Sequence, residues 1–288
     1  MFKKFHPLLA TLLCLVGCAR DQPKPVDMTR WAAYYDSALP ASHFAGLDLV
    51  VFDRRYHPDF SQLGTRTTVL AYVSIGEVHG DVPERKALEK HKILLSKNER
   101  WQSYVVDMRS PLWQGMVMGY VDHAMANGFD GVMLDTVDSP LAWCLDHQPE
   151  HCAAMQESAS LLINSIRTKY PNIKIMLNRG FEILNLVAPD IDYVLAESIL
   201  TYKDDSTGHF TLLPPKRYAD AVKQLHAVVA HARHLKVMTL DYWDADDVNG
   251  LETIYTIQRQ SEFIPYVTLP DLRHFTPEPL REAFPLPG

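Results

Sequence analysis

Residues 128–138 read GFDGVMLDTVD, and their pattern is the clearest indication of the fold in this chain. Gly128 follows a run of helical period and is the residue type that ends helices. The next apolar run, residues 131–135, has no alternation of polar and apolar side chains, which is typical of a parallel strand covered on both faces. Asp135 closes that run. The stretch therefore predicts a buried strand with an acid at its carboxyl end.

Seven more runs of the same kind surround this one. They cover residues 31–35, 47–53, 69–74, 173–178, 193–197, 237–241 and 263–269, and segments of helical period separate them. Eight such strands with helical crossovers predict an α/β fold, a single (β/α)8 TIM barrel. An open doubly wound sheet is the alternative, but no glycine-rich phosphate loop supports it. A ninth run, 104–108, is expected to be an excursion in the third connection.

The amino terminus has the pattern of an export signal. Lys3 and Lys4 precede an apolar stretch, residues 8–16, that is too short to span a bilayer. Leu15-Val16-Gly17-Cys18 resembles the lipobox of bacterial lipoproteins, and Ala19 follows rather than an aspartate. We therefore expect residues 1–17 to be a lipoprotein signal peptide, 18–29 a tether lipidated at Cys18, and 30–288 the barrel domain, anchored in the bacterial envelope at the outer membrane. The alternative is an ordinary secretory peptide with an incidental cysteine.

Composition limits the partners of the barrel. Of the 288 residues, 47% are apolar, which is enough to fill the core of one large α/β domain. The net charge is −7, and no basic tract is present, so nucleic acid is not an expected partner. An excess of acids attracts a cationic ligand weakly.

Two cysteines, Cys144 and Cys152, lie close together in a polar segment. In an exported protein this spacing predicts a local disulfide, and two reduced thiols are the alternative. A metal site is not expected, because His147 and His151 have no second pair of ligands at zinc-site spacing.

Polar residues follow most of the predicted strands. In a TIM barrel the carboxyl ends of the strands carry the reactive groups. Each acid alone has a simple structural explanation, such as helix capping or pairing with Arg179. Several converging carboxylates without a histidine and cysteine cluster favour glycoside cleavage, in which one acid protonates the leaving oxygen and another attacks or activates water. The strand-end residues are Glu77, Asp135, Asp138, Asn178, Arg179, Glu197, Asp241 and Tyr242.

Five segments at these strand ends resemble glycoside hydrolase family 114, the endo-α-1,4-polygalactosaminidases, and especially its branch related to the hydrolase domain of the Pel-polysaccharide enzyme. The segments are 71–77 (AYVSIGE), 128–138, 178–181 (NRGF), 196–198 (AES) and 240–242 (LDY), in the order of the family. The similarity runs from about residue 31 to about residue 269. It implies a (β/α)8 fold, no metal or cofactor, and hydrolysis of α-1,4-linked galactosamine or N-acetylgalactosamine polymers.

Carried over to this chain, the resemblance makes Asp135 and Glu197 the catalytic pair. We favour Asp135 as nucleophile and Glu197 as acid/base, although the residues alone do not separate the two roles. The expected substrate-binding residues are Tyr35, Tyr72, Glu77, Asp138, Asn178, Arg179, Asp241 and Tyr242. Tyr35 and Tyr242 stand at predicted strand ends, where their rings can stack on sugar faces.

One departure from the family follows Glu77. Val78-His79-Gly80-Asp81 leads into a charged stretch that runs to Arg100, which we expect to be a solvated helix or a lid. Two other functions stay open. A non-catalytic lipoprotein that binds an exopolysaccharide could use the same groove. A metal-dependent hydrolase would need histidines at strand ends, and none of the eight runs ends in one.

Overall fold

The computed structural model describes residues 30–64, 66–204 and 206–279. Eight parallel strands form one sheet in chain order, which confirms all eight predicted runs. Trp31 donates its indole N–H to the carbonyl of Ile264, 3.0 Å away, so the last strand returns to the first and nearly closes a (β/α)8 barrel. The strands are β1 Trp31–Tyr34, β2 Leu49–Asp53, β3 Thr68–Ser74, β4 Gly131–Asp135, β5 Lys174–Asn178, β6 Tyr193–Glu197, β7 Lys236–Tyr242 and β8 Ile264–Thr268.

Helices cover the outside of the barrel. They are α1 Glu84–Lys90, α2 Pro111–Ala126, α3 Asp138–His147, α4 Cys152–Lys169, α5 Leu184–Val187, α6 Pro215–His231 and α7 Val248–Gln260. The predicted ends of α2 are confirmed: the Ser110 side chain accepts from the backbone N–H of Trp113, and Gly128 has a φ of +84°. Two further strands, Thr201–Lys203 and Phe210–Leu212, pair as a hairpin after β6.

The core explains why β4 begins with glycine. The side chains of Val132, Met133 and Leu134 are buried between the barrel interior and the helices. A Cβ atom on Gly131 would lie 1.9 Å from the carbonyl oxygen of Lys174 on β5, so no side chain fits there. Glycine therefore lets β4 and β5 approach closely at the start of the strand that carries Asp135.

The third connection holds an excursion, defined here as residues 77–106. Its strands Glu77–His79, Leu94–Asn98 and Ser103–Val106 form an antiparallel sheet with the last one in the middle. The charged stretch after Asp81 forms α1 and the strand that follows it. The predicted run at 104–108 thus lies in an excursion, as expected, but it contributes only one of the three strands of that excursion.

The predicted signal peptide and Cys18 lie outside the described residues. Within those that the structure describes, no helix combines the length and apolar character needed to cross a membrane.

Candidate active site

A cavity of about 560 Å³ opens at the carboxyl ends of the barrel strands. This is where the active sites of TIM barrels lie. Nine of the ten residues predicted for the site line it, and the tenth, Asp241, does not. The nine are Tyr35, Tyr72, Glu77, Asp135, Asp138, Asn178, Arg179, Glu197 and Tyr242.

Asp135, at the end of β4, accepts hydrogen bonds from three donors. The backbone N–H of Thr136 lies 2.7 Å and the Asn178 amide nitrogen 2.8 Å from its Oδ1. The Tyr72 hydroxyl is the third donor. Burial, and then the charge of Glu197, raises the pKa of Asp135 to about 6, while the three donors act in the opposite direction. The carboxyl group therefore changes its protonation state in mildly acidic solution rather than below pH 4.

Glu197, at the end of β6, is held at both oxygens. The Tyr242 hydroxyl donates to Oε1 at 2.6 Å, and the Asn178 amide donates to Oε2 at 2.6 Å. Burial and the charge of Glu197 raise the pKa of Tyr242 well above its ordinary value, so the phenol keeps its proton and remains a donor. Burial and the nearby Asp135 do the same for Tyr72.

One amide group thus joins the two carboxylates. The side-chain nitrogen of Asn178, on the strand between β4 and β6, donates to Asp135 and to Glu197 at the same time. Because both neighbours only accept when ionised, they fix the orientation of the amide. Asn178 is 3% exposed, so this bridge lies at the floor of the cavity.

The backbone turns sharply after each of these three residues. Thr136, Arg179 and Ser198 directly follow Asp135, Asn178 and Glu197, and their φ angles are +66°, +56° and +54°. Residues other than glycine seldom adopt this left-handed region, and a β-branched threonine least of all. These turns end the strands, and the last side chain of each strand lines the shared cavity. Local backbone strain is common at functional sites.

Tyr35 and Tyr72 form one wall of the cavity, with ring centroids 4.9 Å apart. On the opposite side of Asp135, Arg179 donates to Asp138 at 2.9 Å, and both side chains stay partly exposed. A paired arginine and aspartate present both donors and acceptors to a sugar hydroxyl. No group of three or more His, Cys, Asp or Glu that could hold a metal ion occurs in the described ranges.

The sequence pattern of the glycoside-hydrolase family GH114 matches residues 17–282. The chain belongs to family GH114. It is therefore a glycoside hydrolase, and the carboxylate cavity lies where the fold places such a site.

The GH114 chain shares its fold with solved structures that include PelA and Ega3. The glycoside hydrolase domain of PelA from Pseudomonas aeruginosa is 22% identical, with a TM-score of 0.76 over 86% of this chain and 98% of that one. Ega3 from Aspergillus fumigatus, solved in complex with galactosamine, is 16% identical, with a TM-score of 0.64 over 85% of this chain and 92% of that one. At these identities the likeness shows the fold. Among curated proteins, none matches.

In this GH114 domain, Glu77 reaches the cavity wall with its carboxylate already bonded. Ser139 donates to Oε1 at 2.5 Å, Asn98 donates at 3.1 Å, and Ser103 donates to Oε2. These partners come from the excursion and from the start of α3. These hydrogen bonds tie Glu77 to the rest of the excursion and to the start of α3. Glu77 lines the cavity, and its role as a substrate ligand stays a prediction.

Asp241, expected from the sequence to bind substrate, lies behind the cavity and does not line it. It is fully buried and accepts from the backbone N–H groups of Leu200 and Thr201, at 3.1 and 3.0 Å, and from the Gln258 amide at 2.5 Å. The reason is the period of two in a strand, which sends neighbouring side chains to opposite faces. Tyr242 faces the cavity, so Asp241 faces the helix layer, where it holds the segment after β6.

The disulfide predicted between Cys144 and Cys152 is not formed in the structure. Both residues are buried free thiols. Their sulfur atoms lie 3.2 and 3.6 Å from the same carbonyl oxygen, that of Gln148, because the turn between α3 and α4 brings them together. The bridge stays a prediction for the oxidised protein.

The cavity also contains residues that the sequence analysis missed. Asp53, Arg54 and Arg55 line it after β2, and Trp101 lines it from the excursion. The first three could have been found, because the predicted run 47–53 ends in Asp53 just as the other strands end in acids. Trp101 gives no such signal, since only the folding of the excursion brings it to the cavity.

Proposed function

We propose that this GH114 domain cleaves α-1,4-linked galactosamine and N-acetylgalactosamine polymers with Asp135 as nucleophile and Glu197 as acid/base. The observation that supports it best is the Asn178 amide shared between the two carboxylates. The arrangement gives two acids in one cavity, on either side of a point where a glycosidic bond can lie.

The spacing supports retention of configuration. The Asp135 and Glu197 oxygens that share the Asn178 nitrogen are no further apart than about 5.4 Å, the sum of the two hydrogen-bond lengths, and this limit lies below the inverting separation. An inverting enzyme needs roughly 6.5 to 9.5 Å to admit a water molecule. In the retaining route, Asp135 attacks the anomeric carbon while Glu197 protonates the leaving oxygen. Glu197 then takes the proton of the water that releases the sugar from Asp135.

The donor pattern supports this division of roles. Asp135 receives three hydrogen bonds, one of them from a backbone N–H that cannot rotate away. Donors to a carboxylate stabilise its ionised form, which a nucleophile needs. Glu197 receives two, both from side chains and none from the backbone. The substrate class draws on the family match and on the galactosamine bound to Ega3, and the excess of acids suits an amino-sugar polymer.

Incubation of the full chain with galactosaminan and with poly-N-acetylgalactosamine tests the function. We expect mass spectrometry to show shorter oligomers, each heavier by one water than the residues it contains. Proton NMR during the first turnovers is expected to show the α-anomer first, as retention requires. The Asp135→Asn variant is the control for contaminating activity. Intact polymers of both kinds after long incubation would contradict the proposal and favour a non-catalytic binding protein.

We also propose that Cys18 carries a lipid that anchors the chain in the bacterial outer membrane. The lipobox-like residues 15–18 support this. A single acyl chain anchors only marginally and several anchor stably, so Cys18→Ser is expected to release the protein from the membrane fraction or to leave it with its full-length mass. Cys14→Ser is the matched control. A Cys18→Ser protein with unchanged mature mass and fractionation would refute the anchor.

A further inference from the structure

Two arginines stand side by side in the cavity, at the end of β2. Asp53 accepts from the backbone N–H groups of Arg55 and Tyr56, at 2.7 and 2.8 Å, and this fixes the turn that holds Arg54 and Arg55. In the barrel Asp53 is the register partner of Tyr72, whose hydroxyl donates to Asp135. The arginines therefore lie two strands away from the proposed nucleophile, along the wall of the same cavity.

Their positive charges have no close counter-ion. Neither Arg54 nor Arg55 forms an ion pair with a carboxylate of the residues that the structure describes, and Asp53 and Glu84 act on Arg54 only from a longer distance. Arg179, the third arginine of the cavity, is paired with Asp138 at 2.9 Å. The cavity thus has one neutralised arginine beside the catalytic pair and two unpaired arginines further along.

Arg54 is partly desolvated, unlike an arginine on the surface. Its guanidinium carbon lies 4.0 Å from the centroid of the Tyr120 ring, and the side chain is half-buried. Burial, and then the neighbouring charge of Arg55, lowers the pKa of Arg54. The Tyr120 ring holds the guanidinium group in place by a cation–π contact, and Arg54 lines the cavity.

The chemistry of the two groups selects between amino sugars. A guanidinium group only donates hydrogen bonds, and the ammonium group of galactosamine also only donates and has the same charge. An N-acetyl group is neutral, and its carbonyl oxygen accepts. We propose that Arg54 and Arg55 form a subsite that takes an N-acetylated residue of the polymer and rejects a free-amine residue. This inference rests on the proposed function and adds to it: the substrate is a partly acetylated chain, cut at a fixed distance from an acetylated residue.

Kinetics with polymers of defined acetylation test the subsite. The full chain, Arg54→Gln and Arg55→Gln are compared on fully acetylated and fully deacetylated oligomers, with Arg217→Gln on exposed α6 as the matched control. A hydrogen bond from a charged donor is worth enough to change an affinity on the order of tenfold. We expect each cavity variant to lower the ratio of kcat/KM for acetylated over deacetylated oligomers about tenfold, mainly through KM, and Arg217→Gln to leave it unchanged.

The products give a second readout that a general folding defect does not change. On a partly acetylated polymer, tandem mass spectrometry of wild-type products is expected to show acetylated residues enriched at one fixed position from the new ends. Arg55→Gln, at an exposed position, is expected to lose this enrichment. Wild-type products without positional enrichment, or variants that slow both oligomers equally, would overturn the subsite. Failure of the wild type to cleave any of these polymers would instead overturn the proposed function.

Discussion

Asp135→Asn and Glu197→Gln are each expected to lower kcat by on the order of a thousandfold or more on a polymer that the wild type cleaves. An amide at position 135 keeps the shape of the side chain but cannot attack the anomeric carbon, and an amide at position 197 cannot deliver a proton. Single-turnover rates measure both effects directly. Asp122→Asn on α2 and Glu252→Gln on α7 make the same chemical change on the outer helices and should keep the wild-type rate.

Stability separates loss of chemistry from loss of folding. The folded pKa of Asp135 is raised to about 6 from an ordinary 3.8, so the folded chain holds this proton more tightly than the unfolded chain. The ionised group therefore reduces the free energy of unfolding progressively as the pH rises from about 4 through 6. Asp135→Asn removes that effect, and its melting temperature at pH 8 should equal or exceed that of the wild type. A folded Asp135→Asn or Glu197→Gln variant that retains near-normal turnover would contradict the assignment.

The barrel could be predicted because its strands carry their own signal. Each of the eight runs is mostly apolar and shows no regular alternation, which is typical of a strand covered on both faces. Caps such as Ser110 mark the start of a helix locally. The excursion was harder to predict from the sequence, because its three strands are short, are separated by charged residues and pair antiparallel to each other. Short strands of that kind depend on tertiary contacts, here those of Glu77 with Asn98 and Ser103.

The site could be predicted only as a set of strand ends. Position along the chain places Asp241 and Tyr242 together, but the alternation of a strand puts one behind the cavity and the other in it. The bridge through Asn178 depends on β5 lying between β4 and β6, which the topology fixes and the sequence only suggests. The unpaired state of Arg54 and Arg55 is a property of their surroundings, so no motif reveals it.

Asn178→Leu is expected to lower kcat/KM by roughly a hundredfold or more and to move its pH dependence, because it removes the donor shared by both carboxylates while keeping a side chain of similar size. Asn178 lowers the pKa of Asp135, so its loss raises that pKa above about 6. A nucleophile must be ionised. The acidic limb of kcat/KM, with a midpoint near pH 6 in the wild type, should therefore shift to higher pH in Asn178→Leu.

The direction of the shift also decides which acid has which role. A proton donor must be protonated, so if Asp135 had that role its titration would form the basic limb of the kcat/KM profile. A raised pKa of Asp135 would then extend activity to higher pH. The pH profile of kcat/KM from pH 4 to pH 9 distinguishes the two outcomes. Asn164→Leu on α4 is the matched control, because Asn164 also donates to a carboxylate, that of Asp190, but on the outside of the barrel. If the midpoint of the acidic limb is the same in Asn178→Leu as in the wild type, the Asn178 amide does not stabilise the ionised nucleophile. The shared hydrogen bond would then have no effect on the protonation state of Asp135.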